Sequence, residues 1–101
     1  MSSRLDLHEE FCEILENRNV YFNPPASVKM KYPAIKYSLK EIETEYANGT
    51  IYTTRYKYEV TLIDKNPESE YVERILHLPY CRFDRQYPSD NLNHWTFTIT
   101  R

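Results

Sequence analysis

The sequence predicts a single α+β domain, with two amphipathic helices packed on one face of an antiparallel sheet of about four strands. Its 101 residues suit one domain, spanning 1–101, with one hydrophobic core. Apolar residues recur at helical spacing in two segments and alternate with polar residues in several others. The predicted order is α-β-β-β-α-β-β, and strands with one apolar and one polar face favour an antiparallel sheet that helices cover on one side.

Both helices are predicted from capping residues and apolar stripes. Helix 1 begins with Ser3 at the N-cap and Asp6 completing a capping box. Helix 2 begins with Asn66 at the N-cap and Pro67 as its first residue, and it ends before Pro79. The apolar stripe of helix 1 comprises Leu7, Phe11, Ile14 and Leu15, and that of helix 2 comprises Tyr71, Val72, Ile75 and Leu78.

The remaining segments read as short strands and turns. Val20–Phe22 is a short extended piece, and residues 28–32 are an edge strand or a loop, because Pro33 interrupts the run. Cys81–Tyr87 is predicted as a strand, and a turn follows at residues 88–91. The apolar positions of the last strand are Trp95, Phe97 and Ile99.

The longest strand pattern runs from Ile51 to Ile63 and follows the turn signal Asn48-Gly49. Its odd positions, which include the basic Arg55 and Lys57, are predicted to face solvent. Its even positions are predicted to face the core; they are Tyr52, Thr54, Tyr56, Tyr58, Val60 and Leu62.

The hairpin around this turn, from about residue 35 to 64, is longer than a compact domain requires. Each strand would extend about 45 Å, whereas a domain of this size is about 35 Å across. Either the hairpin projects, or its tip at residues 41–52 is a loop that covers the sheet edge. A projecting hairpin would expose apolar side chains and require a partner surface. The candidate subunit-interface residues are Ile42, Glu43, Glu45, Tyr46, Ile51, Tyr52, Arg55 and Lys57.

Composition argues against several functional classes. The formal net charge is −2, so no overall field attracts nucleic acid or an anionic membrane. The single glycine, Gly49, excludes a glycine-rich phosphate loop. No apolar run approaches the roughly 20 residues of a membrane helix, and no signal-peptide pattern is present. We therefore expect a soluble protein, made in the cytosol, with no membrane partner.

Candidate catalytic and metal-binding groups do not combine into a site. Two His-x-x-x-Cys pairs occur, His8/Cys12 and His77/Cys81, but Pro79 breaks the helix that the second pair would need. Cys12 or Cys81 with His94 would need a pocket and an orienting group, and Cys12 sits at a packing position of helix 1. We expect no enzyme, no metal and no cofactor.

A nucleic-acid surface is also not expected. Aromatic and basic residues do alternate over 55–58, as on some surfaces that bind single strands. Their tyrosines and their basic residues, however, point to opposite faces of the strand. The sequence therefore predicts no specific nucleic-acid site.

Four segments, Tyr32–Tyr37, Thr54–Asp64, Leu78–Arg85 and His94–Ile99, resemble strand motifs of the tail terminator or tail-completion family of long-tailed bacteriophages. The resemblance implies an α+β virion protein of the tail or neck, without catalytic residues. It also implies a ring, usually a homo-hexamer, that contacts the tail-tube protein and the head-connector proteins. The alternative function is a small cytosolic module that binds RNA or a peptide through the open sheet face.

Overall fold

The computed structural model describes residues 4–101, so the predicted N-cap Ser3 lies outside the described residues. The element order matches the predicted order α-β-β-β-α-β-β. The elements are α1 (Arg4–Leu15), β1 (Val20–Phe22), β2 (Ala34–Ala47), β3 (Thr50–Asp64), α2 (Tyr71–Leu76), β4 (Cys81–Ser89) and β5 (Leu92–Thr100).

The strands form one five-stranded sheet in the order β1-β2-β3-β5-β4. Three of its four pairings are antiparallel, and β1 pairs parallel to β2 with Val20 opposite Ile35. The predicted α+β class is confirmed. The sheet is mixed rather than purely antiparallel, because the chain runs from α1 through β1 and returns in the same direction along β2.

The core lies between one face of this sheet and the two helices. Alternation places Ile35 and Tyr37 of β2 opposite Leu62 and Val60 of β3, all on the helix-covered face. The apolar stripe of α1 packs against them, as the helical spacing predicts. The fully buried large side chains are Tyr37, Phe11, Phe97, Leu7, Leu15, Ile35, Leu62, Ile75, Ile99 and Val60.

Helix α2 is shorter than predicted, and the assignment of Asn66 as its N-cap is wrong. The helix begins at Tyr71, after Glu70, which gives no side-chain cap. The Asp64 carboxylate accepts a hydrogen bond from the amide of Asn66, whose own side chain accepts one from Glu68. These bonds close successive Asx turns, a local alternative to the first turn of a helix that Asp and Asn favour.

The opposite face of the sheet is also partly covered. Residues 28–32 form no strand, and the chain from Asn23 to Met30 lies over this face. As a result, Thr61 and Ile63 of β3 are buried, although odd positions were predicted to be solvated. Thr96 and Thr98 of β5 are buried as well, and Thr98 donates a hydrogen bond to Asp84 at 2.7 Å.

Candidate assembly interface

The β2–β3 hairpin projects from the body of the domain as a two-stranded arm. Its register continues to Ala47 opposite Thr50, across the turn at Asn48 and Gly49, which both have positive φ. The molecule is 51 Å along its longest axis and 28 and 23 Å along the others. Residues 41–52 are therefore strand and turn, not a loop folded over the sheet edge.

The arm begins where its neighbouring strands end. On one side, β1 pairs with β2 over 35–37. On the other side, the last bonds to β3 join the backbone of Tyr56 to Arg101, with two N···O distances of 2.8 Å. Among the described residues, no strand pairs with the arm's outer edges beyond these points. The arm therefore presents two unpaired strand edges as well as two faces.

Two irregularities keep the apolar residues of the arm on one face. The register skips Lys40 in β2 and Tyr52 in β3, so each is an extra residue of a bulge. Because directly opposed residues share a face, Ile42 lies with Tyr56 and Tyr46 lies with Ile51 on the side that the helices cover further back.

This apolar arm face is exposed beyond the reach of the helices. Tyr58 is 7% exposed, but Tyr56, two residues nearer the tip on the same face, is 40% exposed. Exposure rises toward the turn, where Tyr52 reaches 76%. The apolar arm face consists of Leu39, Ile42, Tyr46, Ile51 and Tyr56, and the exposed Tyr52 is the extra residue of the bulge beside it. The prediction that Tyr52 and Tyr56 contribute to the core is wrong, because no helix extends over them.

The other face of the arm carries charges that pair with one another. Lys57 contacts the carboxylates of Glu43 and Glu41, the second at 3.9 Å. Arg55 contacts Glu45 at 3.2 Å. The hydrogen bond from Lys57 lowers the pKa of Glu43 below its ordinary value. The charged side chains of this face therefore pair within the arm, and these pairs link its two strands.

The structure thus separates the eight predicted interface residues. Three lie on the apolar arm face, namely Ile42, Tyr46 and Ile51, and four lie on the charged face, namely Glu43, Glu45, Arg55 and Lys57. The eighth, Tyr52, is the exposed extra residue of the bulge. Sequence reasoning missed Leu39 and Tyr56. Alternation assigns both to the covered side, and their exposure depends on where the helices stop.

A cleft of about 450 Å³ lies at the base of the arm, where β5 ends. We call it the base cleft; it is lined by Arg55, Pro79, Tyr80, Thr100 and Arg101. Tyr80 is 82% exposed and has φ of 56°. Its carbonyl accepts a hydrogen bond from the amide of Thr100 at 3.2 Å. A bulky residue in this region of φ is uncommon, so an exposed ring held there marks the cleft as a candidate contact site.

A second cleft, of about 400 Å³, lies on the opposite sheet face beneath the 23–30 segment; we call it the loop cleft. Its floor includes Lys36, Ser38, Glu59 and Thr61, and its wall includes two prolines and Tyr87. Tyr87 stacks on His94 with ring centroids 4.9 Å apart. Burial, more than any other cause, lowers the pKa of His94.

The histidines and cysteines considered for chemistry occupy separate environments. The Nδ1 atom of His8 lies 2.7 Å from the Tyr37 hydroxyl, and Cys12 is buried in the core. His77 Nδ1 lies 2.8 Å from the carbonyl oxygen of Glu73. Burial raises the pKa of the Cys81 thiol to about 11, so this thiol is protonated at neutral pH. Residues 4–101 contain no group of three or more His, Cys, Asp or Glu side chains placed to hold a metal ion.

No protein-family model and no curated protein matches this chain. None of the helices between residues 4 and 101 has the length and apolar character needed to cross a membrane.

Proposed function

We propose that this protein is a structural assembly subunit that forms a homo-oligomeric ring and uses its arm to contact a neighbouring subunit. The observation that carries the proposal is the apolar arm face, with five large side chains exposed on a hairpin outside the core. We favour a structural role without catalysis, because the exposed arm is the most developed surface feature of the chain.

The size of this face supports a stable contact. With about 150–250 Å² for a buried aromatic side chain and less for Leu or Ile, the five side chains expose on the order of 500 Å². The largest apolar patch on a typical monomer is about 300–600 Å² and is often functional. A specific interface buries about 800 Å² per partner, so the face plus a polar rim is sufficient.

We place the ring in the tail or neck of a long-tailed bacteriophage virion, as the tail terminator. This assignment rests on the four strand segments that resemble that family. In this role the ring caps the tail tube and joins it to the head connector after assembly in the host cytoplasm. Its partners are further copies of the chain, the tail-tube protein and the connector proteins, and it uses no cofactor.

Light scattering on the purified protein tests the proposal. We expect the wild-type chain to exceed the 12.3 kDa monomer as concentration rises, with rings visible by electron microscopy. Ile42→Ser combined with Tyr46→Ser should abolish assembly and leave the melting temperature nearly unchanged, because both side chains lie outside the core. Leu5→Ser is the matched control, since Leu5 is 63% exposed and belongs to α1 and not to the arm.

Two results would overturn the proposal. One is a wild-type chain that stays monomeric at high concentration and in the presence of tail tubes. The other is unfolding of the arm variant, which would show that Ile42 and Tyr46 stabilise the monomer itself.

The second candidate function is peptide binding in the loop cleft. Lys36 and Glu59 provide both charges on its floor, and prolines and Tyr87 provide apolar walls, which suits an extended peptide. A monomer that binds peptides from a random library, and loses them on Lys36→Ala and Glu59→Ala substitution, would favour this function over the ring. Binding of an oligonucleotide with steep salt dependence would instead favour the RNA-binding form of the module.

A further inference from the structure

The apolar arm face carries a pattern that is complementary to itself when the arm is reversed. Ile42 lies opposite Tyr56 near the base of the arm, and Tyr46 lies opposite Ile51 near the tip. Because directly opposed residues share a face, all four side chains are on the same side of the hairpin. Each strand therefore has an isoleucine at one end of the face and a tyrosine at the other, and the two strands have them in opposite order.

Two threonines, Thr44 and Thr54, lie opposite one another in the middle of this face. Both are exposed, and both are smaller than the side chains on either side of them. A second arm that lies face to face over the first, in the opposite direction, places threonines over threonines and the base of each arm over the tip of the other. In that arrangement β2 faces β2 and β3 faces β3, so every isoleucine packs on a tyrosine.

The layers of the fold leave a place for this second arm. Two sheets pack face to face about 10 Å apart, and the helices already cover the same face of the sheet further back. A second arm therefore continues the layer of the helices beyond the point where they stop. The charged faces, whose ion pairs form within each arm, then point outward to solvent.

The area of the two faces is sufficient for a specific contact. Each face exposes on the order of 500 Å², so two faces that cover one another remove about 1,000 Å² from water, which is the lower limit for a specific interface. The turn of each arm adds contact near Leu39 at the base of the other. A second copy also matches the reversed order of Ile and Tyr along the face, which an unrelated helix or peptide has no reason to match.

We propose that two copies of the chain pack their apolar arm faces together about a two-fold axis, which passes between their pairs of Thr44 and Thr54. The inference rests on the proposed function, in which the arm contacts a neighbouring subunit, and it makes that contact isologous. A ring built through this contact contains an even number of copies and closes through a second contact, as in a hexamer made of arm-paired dimers.

Two single substitutions test whether Ile42 packs on Tyr46 of the second copy. Ile42→Tyr places tyrosine on tyrosine, and Tyr46→Ile places isoleucine on isoleucine. Both positions are exposed in the monomer, so both variants should fold, as circular dichroism and melting will verify. Each variant alone should self-associate about tenfold or more weakly than wild type, because one is overpacked and the other leaves a gap.

Mixing the two variants restores the packing of isoleucine on tyrosine at both places. Native mass spectrometry of an equimolar mixture should therefore show heterodimers well above the half of all dimers that random pairing gives. The double variant, Ile42→Tyr with Tyr46→Ile, is the matched control. It carries the same side chains in reversed order and should associate like wild type.

Cross-linking near the axis gives a second measurement. Thr44→Cys, in a Cys81→Ser background, should be linked by a short bismaleimide to the same residue of the second copy, because equivalent residues meet only near a two-fold axis. Glu43→Cys, one residue away on the charged face, should be linked far less. Equal linking at the two positions would overturn the contact.

The remaining outcomes separate this contact from the ring. Random pairing in the mixture, or a double variant as weak as the single ones, overturns the two-fold contact. If wild-type rings are nevertheless visible by electron microscopy, the proposed function stands without it. If the wild-type chain never associates, both the proposed function and the two-fold contact are overturned.

Discussion

Arg101 holds the carboxylate of Glu10 in a two-pronged contact, with N···O distances of 2.9 and 3.2 Å. The backbone of Arg101 also exchanges two hydrogen bonds with Tyr56, which are the last bonds between the end of β5 and β3. The pair therefore ties the end of β5 to α1 at the level where the arm leaves the core. The Arg101 side chain is 10% exposed, so the contact is shielded from solvent far more than a surface ion pair is.

We predict that Glu10→Gln destabilises the protein by about 1–3 kcal/mol, because a largely buried guanidinium loses its charged partner. Urea unfolding followed by circular dichroism measures the change. Glu9→Gln is the matched control: Glu9 pairs with Arg18, but both side chains are well exposed. The control should cost at most about 1 kcal/mol. Equal losses in the two variants would contradict the role assigned to Arg101.

A second prediction concerns the reactivity of Cys81. Burial is the main cause that raises its pKa to about 11, and Asp84 adds to the effect. Because the thiolate is the nucleophile, alkylation by iodoacetamide should be slow at pH 7.5 and rise about tenfold per pH unit up to pH 10. Mass spectrometry of the modified peptide follows this rate. A rate that levels off below pH 9 would contradict the raised pKa.

The helices and the hairpin were predictable because their signals are local. Helical spacing identified the stripe from Leu7 to Leu15, and Asn48-Gly49 identified the turn. The start of α2 was not predictable in the same way, since Asn66 and Asp64 serve Asx turns as well as N-caps. Side-chain oxygens of these residues accept backbone hydrogen bonds in both structures, and only the packing of α2 decides between them.

The candidate interface, too, was only partly predictable from local sequence patterns. Tyr56 and Tyr58 occupy equivalent positions in the alternating pattern, yet their exposures are 40% and 7%. The difference arises because the helices end between them, which no local pattern encodes. Tyr80 had no sequence signal at all, since it lines the same cleft as Arg55 only through the pairing of β4 with β5 and of β5 with β3.

A third prediction concerns two histidines at mildly acidic pH. Burial is the first cause that lowers the pKa of both His8 and His94. Their folded pKa lies below the unfolded value of about 6.5, so the unfolded state binds these protons more readily. The stability linked to them is present above pH 6.5 and is lost as pH falls through the folded pKa values.

NMR titration of the histidine ring protons checks this directly. We expect the His8 and His94 resonances to titrate below pH 6.5 in the folded protein. His8→Gln and His94→Gln serve to assign the resonances. Titration of either ring above pH 6.5 would contradict the prediction.

A final prediction concerns the charged face of the arm. Lys57 bridges Glu41 and Glu43, so Lys57→Met leaves neighbouring carboxylates without their shared cation and removes a link between β2 and β3. Exposed ion pairs contribute little to global stability, about 0–1 kcal/mol, so the melting temperature should change little. The arm has few other contacts, and its amides from residue 41 to 55 should therefore exchange with deuterium several times faster. Arg82→Met is the control, because Arg82 pairs with Asp84 on its own strand and links no second strand. Arm exchange that is unchanged in Lys57→Met would show that strand pairing alone keeps the hairpin rigid.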